Sequence, residues 1–161
     1  MASEYKTVGD AIKTTLGADT WLGDTDNIKT IEVEDEDLDN IPDRQKSGFK
    51  DHELPALLII VHDEEPDVRV ATVNTLDYWI PFTIVGITTR AKTTALARTA
   101  ADSIIENVEG VMRDQNGAAN QLGIGALVHG VKSTYRPEKE KTGVYGHTNT
   151  TGTVQHKVTL D

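Results

Sequence analysis

Apolar residues follow two different spacings along this chain, and the clearest change of spacing falls between Tyr78 and Met112. The segment from Tyr78 to Ile87 is rich in β-branched and aromatic side chains, which predicts a strand. Further along, apolar residues recur every three or four positions, which predicts a long amphipathic helix. The residues of this stripe are Ala97, Ala101, Ile104, Ile105, Val108, Val111 and Met112. We expect this helix to cover one side of a sheet and to end near Asn116-Gly117.

The remaining segments predict one further helix and five further strands. The first helix, opened by Ser3 and closed near Gly17, has one apolar face made of Tyr5, Val8, Ile12 and Leu16. Strands are predicted around Ile28 to Val33, over Ala56–Val61, from Val68 to Val73, over Leu127 to Tyr135 and over Thr153 to Leu160. The run Ala56–Val61 is apolar throughout, so we expect a strand buried on both faces at the centre of the sheet. Because Pro81 lacks a donor, its strand should begin there or run along an edge.

This order of elements predicts a single α+β domain over residues 1–161, a mainly antiparallel sheet with two helices packed on one face. Two polar segments interrupt it. One is an acidic loop over residues 34–55, and the other is a flexible polar arm over residues 137–153 between the last two strands, rich in Gly, Thr and Lys.

The net charge of the chain limits the kinds of molecule that it can bind. The 26 Asp and Glu against 16 Lys and Arg give a formal net charge of -10, and no basic stripe is visible. Such a surface works against binding a phosphate backbone, but it suits a wall that DNA passes without sticking. Cysteine is absent, which excludes disulfides and thiol chemistry. No export signal precedes the first helix and no apolar run reaches about 18 residues, so we expect no membrane association.

The acidic loop places Asp35, Asp37, Asp39 and Asp43 at the first, third, fifth and ninth positions of a calcium-binding loop. The pattern then fails. The sixth position, which needs Gly, is Asn40, and the twelfth, which needs a bidentate Glu, is Lys46. A solvated acidic loop is the better interpretation, and no metal site is predicted.

Motifs for catalysis are missing. The five histidines, His52, His62, His129, His147 and His156, are dispersed singly, and neither a metal-ligand spacing nor a GxSxG or SxxK nucleophile motif occurs. Gly123-Ile124-Gly125 begins like a phosphate-binding loop but is followed by no GK[ST], so we interpret it as a turn into Leu127. We expect no enzyme activity and no cofactor.

The element order and its apolar segments resemble the tail terminator, or tail completion, proteins of long-tailed bacteriophages and related viruses. The likeness covers the helix from Thr7 to Leu16, the strand Ala56–Val61, the closing hairpin, and Phe82 to Ile87 followed by the helix from Ala95 to Glu109. The resemblance implies a homohexameric ring on the tail tube protein, which ends tail polymerisation, receives the head-completion or neck protein and lets DNA pass through its lumen. The protein would then be made in the host cytoplasm and reside in the virion, at the junction of tail and neck.

Two hypotheses about sites follow. Asp35, Glu36, Asp37 and Asp39 line the lumen or its rim, although the same loop could equally face solvent. In the arm, Gly143, Val144, Tyr145 and His147 contact a neighbouring subunit or ring. Two other interpretations stay open, namely a head-closure or neck adaptor protein and, from a different class, an acidic DNA-mimic inhibitor of a nucleic-acid-binding protein.

Overall fold

Two α-helices and one six-stranded sheet make up the part of the chain that the computed structural model describes, residues 4–34, 49–62 and 67–159. The helices are α1 (Glu4–Ala18) and α2 (Thr94–Arg113). The strands are β1 (Thr30–Val33), β2 (Ala56–Val61), β3 (Asp67–Thr72), β4 (Thr75–Ile87), β5 (Ala126–Glu140) and β6 (Gly143–Thr159). The mixed α+β class predicted from the sequence is confirmed. Ser3, the predicted opener of α1, lies outside the described residues.

The strands run in the order β1-β2-β4-β6-β5, and β3 pairs with β4 beside this path. Only β1 and β2 are parallel, and the other pairs are antiparallel, which confirms a mainly antiparallel sheet. The prediction that Ala56–Val61 forms the central strand is wrong, because β4 occupies the middle. An apolar run indicates that both faces of a strand are covered, but it does not indicate the strand's position in the sheet.

Both helices pack on the same face of the sheet and share one hydrophobic core. From α1 this core takes Val8, Ala11, Ile12 and Leu16, and from α2 it takes Ile104, Val108 and Met112. The sheet contributes alternate residues, among them Leu57, Ile59, Ile80, Phe82, Ile84 and Val154. The predicted apolar stripe of α2 is therefore largely correct, while Ile105 and Val111 lie half-buried at its border. The packing of two helices on one face follows from these two stripes.

A second, smaller core explains why β2 is apolar at every position. On the face away from the helices, the alternate residues Ala56, Leu58 and Ile60 are covered by Phe49 and Leu54. These two residues flank a short 3₁₀ turn, Asp51–Glu53. The C-terminal part of the predicted acidic loop, residues 49–55, thus crosses the second face of the sheet, whereas residues 35–48 lie outside the described part.

Pro81 lies inside β4, so the prediction that a strand begins there is wrong. Its carbonyl accepts a hydrogen bond of 2.9 Å from the backbone N–H of His62. On this side of β4, β2 pairs with Phe82 to Ile87, whereas β3 pairs with Thr75 to Trp79. Pro81, which has no backbone N–H, therefore lies between the segments of β4 that pair with β2 and with β3. At this position β4 is locally an edge, as predicted.

The last two strands form a hairpin that is longer than predicted. β5 reaches Glu140 and β6 begins at Gly143, so the turn is only two residues long. The stretch 137–153, predicted as a flexible polar arm, is strand on either side of that turn, with pairs from Glu140 and Gly143 beside the turn to His129 and Thr153. The Gly and Thr content favours a loop, but Thr is also common in strands, and Gly146 lies close to α2, where an added Cβ would be 2.9 Å from the carbonyl oxygen of Ala97.

Candidate functional site

The acidic residues proposed to line a lumen, Asp35, Glu36, Asp37 and Asp39, lie outside the described residues. So does Asp43 of the rejected calcium motif. The placement of Asp35, Glu36, Asp37 and Asp39 at the lumen or its rim stays a prediction. Over residues 4–34, 49–62 and 67–159, no group of three or more His, Asp or Glu side chains is arranged to hold a metal ion. Within the same ranges, no helix is both long and apolar enough to cross a membrane.

The four residues proposed to contact a neighbouring subunit or ring all lie at the start of β6. Gly143 follows the hairpin turn, while Val144, Tyr145 and His147 are 8%, 9% and 4% exposed. Val144 also pairs through backbone hydrogen bonds of 2.8 Å with Ala91, in the loop before α2. These side chains are therefore packed within the subunit, and their contact with a neighbouring subunit or ring stays a prediction. Some of their partners, among them Ala91 and Asp51, are far away in the sequence, so local composition did not indicate this packing.

Tyr145 instead anchors a polar network that ties the 3₁₀ turn to the sheet. Its hydroxyl donates to Oδ1 of Asp51 at 2.7 Å and accepts from Nε of Arg90 at 3.0 Å. Nη2 of Arg90 reaches Oδ2 of Asp51 at 2.8 Å, which closes the triangle. Burial raises the pKa of Tyr145, and the hydrogen bond to Asp51 acts in the same direction while Arg90 opposes it. The phenol thus stays protonated and holds Asp51 in place.

His147 lies next to this network and contacts a carboxylate of the neighbouring strand. Its Nε2 is 2.5 Å from Oε2 of Glu138. Burial lowers the pKa of His147, the charge of Glu138 counteracts this, and nearby Arg136 lowers the pKa further. We therefore take the imidazole as neutral near pH 7, with Nε2–H donating to Glu138.

A cavity of about 120 Å³ lies between the 3₁₀ turn and the end of the hairpin. Phe49, Leu54 and Ile87 form its apolar wall, and Glu138, Glu140, Tyr145 and His147 form its polar wall. Sequence analysis selected two of these residues for a different reason and missed the others. Asp51 and Tyr145 are 94 positions apart, and no spacing along the chain indicates that they meet.

A second polar group occupies the same face of the sheet farther along β4. The indole of Trp79 stacks on His129 with ring centroids 5.2 Å apart, and its N–H donates to Oδ2 of Asp77. Gln155 connects the two parts, since it bonds to both His129 and Asp77. Each of these four side chains has a partner, although Oδ1 of Asp77 is buried and makes no hydrogen bond within the described residues. We interpret the group as a structural link between β4, β5 and β6.

The hairpin of β3 and β4 carries the two most exposed large apolar residues of the described chain, Val70 and Val73. Val68, Val70 and Val73 are 45%, 76% and 95% exposed. Val68 and Val70 share one face of β3, because they are two residues apart. All of β3 is exposed, and within the described residues only β4 pairs with it. This hairpin is an open sheet edge with an apolar side.

A search against models of known protein families finds no match for this chain, and neither does a search of curated proteins.

Proposed function

We propose that this chain is a tail terminator of a long-tailed bacteriophage or a related virus, assembled as a homohexameric ring on the tail tube. In this role the ring ends tail polymerisation, presents its other face to the head-completion or neck protein, and lets DNA pass through its lumen without specific binding. Its work is mechanical, with no catalytic step and no cofactor. The assembled ring would be located in the virion, at the junction of tail and neck.

The observation that carries this proposal is the exposed apolar hairpin of β3 and β4. An unpaired strand edge with exposed valines attracts another chain, and monomeric proteins usually block such edges. Val70 and Val73 are too exposed to stabilise the subunit that bears them. A hairpin that binds a different surface of the next copy makes head-to-tail contacts, and such contacts close into a ring when the rotation returns to its start.

The negative charge supports the same role. Duplex DNA carries about one charge per 1.7 Å of axis, and repulsion between charges extends over about 8 Å at physiological salt. An acidic lumen would keep passing DNA from adhering to the ring. Asp35, Glu36, Asp37 and Asp39 are the proposed lumen or rim residues, and replacing all four with Lys should slow DNA ejection. Unchanged ejection by particles with intact rings would remove these residues from the lumen.

Electron microscopy of the purified protein, with and without purified tail tubes, tests the proposal directly. We expect sixfold rings with an open centre, and sixfold caps on tube ends. Binding to filled heads but not to tails would instead identify a head-closure or neck adaptor protein. A third outcome is a monomer or dimer that does not bind tail tubes but binds a basic nucleic-acid-binding protein. This outcome would identify the DNA-mimic inhibitor and exclude the ring.

A further inference from the structure

We propose that the cavity between the 3₁₀ turn and the closing hairpin binds the alkylammonium end of a lysine side chain presented by a protein partner. This inference concerns the single subunit and does not depend on the ring or on the viral role. It rests on the size of the cavity, on the division of its wall into an apolar and an acidic side, and on the charges that surround it.

Size favours a slender group. The cavity measures about 120 Å³, whereas sites for drug-sized molecules and cofactors usually measure roughly 300–1,000 Å³. A chain of four methylenes with a terminal amine needs less room than a nucleotide or a sugar.

The wall has the two parts that such a group requires. Phe49, Leu54 and Ile87 offer apolar contacts to methylene groups. Opposite them stand Glu138 and Glu140, which lie two residues apart on β5 and so share one face of the strand. A lysine stem can lie along apolar surface while its ammonium group reaches a carboxylate, as amphipathic side chains commonly do.

The carboxylates have capacity left for a ligand. His147 engages Oε2 of Glu138, and Oε1 has no hydrogen-bond partner among the described residues. Glu140 makes no hydrogen bond or ion pair within the described part of the chain, although it lies near enough to Arg90 to interact electrostatically. An ammonium group has three donors and could bond to both carboxylates at once.

The other charged groups near the cavity do not cancel this negative charge. Arg90 is engaged by Asp51 and by the hydroxyl of Tyr145, at 2.8 and 3.0 Å. His147 is 4% exposed, and burial holds its pKa below the ordinary value, so it stays neutral near pH 7. Arg136 precedes Glu138 on the same face but is exposed to solvent and does not line the cavity. The lining thus carries two negative charges.

The test uses n-butylammonium chloride and Nα-acetyl-lysine methylamide, titrated separately into isotope-labelled protein and followed by NMR. We expect both probes to shift the side-chain resonances of Tyr145 and His147 in a saturable way, and n-butanol, which lacks the charge, to bind at least fivefold more weakly. The double variant Glu138→Gln/Glu140→Gln should weaken both probes at least fivefold. It keeps an oxygen for His147, so its melting temperature should stay near that of the parent.

A matched control variant, Glu106→Gln/Glu109→Gln, makes the same change of net charge on α2, across the sheet from the cavity. It should bind the probes like the parent protein. Absence of any shift, an equal response to n-butanol, or unchanged binding by the Glu138 and Glu140 variant would overturn the proposal. Binding of n-butylammonium alone would also overturn it, because the site would then exclude a lysine side chain. All the lining residues belong to one subunit, so the titration can be interpreted whether or not rings form.

Discussion

At the scale of the residue, Gly86 shows how closely the layers of this protein approach each other. A Cβ built on Gly86 would lie 2.9 Å from Cγ2 of Ile104 and would also collide with the hydroxyl of Thr148. Neither neighbour is at the end of a long flexible side chain. The middle strand therefore needs glycine here to let α2 pack closely against β4.

Replacing Gly86 with alanine should lower the free energy of unfolding by roughly 1–3 kcal/mol, because extra volume in a packed core forces its neighbours to shift. Gly110 supplies the control. It lies in α2, and no atom stands within 4 Å of an added Cβ. Gly110→Ala should raise stability by about 0.5–1 kcal/mol, since alanine favours helix. Urea unfolding of both variants measures the difference, and equal effects would contradict the close packing at Gly86.

Because His147 is buried, we expect the free energy of unfolding to depend on pH. Burial lowers its pKa in the folded protein, so below the ordinary pKa of about 6.5 the unfolded chain binds more protons than the folded one. Stability should therefore fall as the pH drops through about 6.5 and should be unaffected by this group above it. His147→Gln removes the titration and should flatten this part of the curve.

The matched control for this measurement is His52→Gln, at an exposed position of the 3₁₀ turn. It should leave the pH dependence of the parent protein unchanged. Denaturant unfolding at a series of pH values from about 5 to 8 supplies the data. A curve for His147→Gln that is as steep as that of the parent would show that other groups cause the dependence.

At the scale of the element, α2 begins at a well-defined cap. The side chain of Thr93 accepts a hydrogen bond of 3.2 Å from the backbone N–H of Leu96. Thr93→Ala should cost about 1 kcal/mol, the usual value for losing such a cap. Thr94→Ala, one position later and also exposed, should cost nothing because alanine is the better helix former. Equal melting temperatures for the two variants would show that the cap adds no stability.

The same elements show how far the sequence could predict the structure. The stripe of α2 and the apolar run of β2 were predictable, because local periodicity directly reflects the burial of helices and strands. The order of strands was not, since β4 and β6 pair residues as distant as Thr75 and Thr159. The polar composition of residues 137–153 also misled the prediction, because whether threonine lies in a loop or in a strand depends on partners that local sequence does not show.

The cavity was beyond prediction for a related reason. Its lining comes from the two residues on either side of the 3₁₀ turn, from β4 and from both strands of the closing hairpin. Glu138 and His147 face each other only because of the register that pairs Glu138 with Tyr145. No motif marks such a site, as its residues are ordinary for strands and loops. The sequence did indicate Tyr145 and His147, but as contacts to a neighbouring subunit or ring.

At the scale of the whole molecule, the exposed hairpin should control self-association. The double variant Val70→Lys/Val73→Lys places two charges where the proposed contact excludes water, and we expect rings to be lost while the subunit stays folded. Sedimentation measures the assembly, and circular dichroism checks the fold. The control Leu96→Lys/Thr99→Lys adds the same two charges at exposed positions of α2, away from the hairpin, and should weaken assembly much less. Rings formed as well by the lysine variant would remove the hairpin from the contact.

The position of β6 also determines when this protein can fold. β6 lies between β4 and β5, yet it is synthesised after both of them. Until it emerges from the ribosome, the nascent chain has two long strands with no common neighbour, and each keeps an open row of backbone donors and acceptors. A chain cut short before Gly143 would retain these edges permanently. Such fragments should aggregate or be degraded by proteases, and chaperone binding during translation should end when β6 completes the sheet.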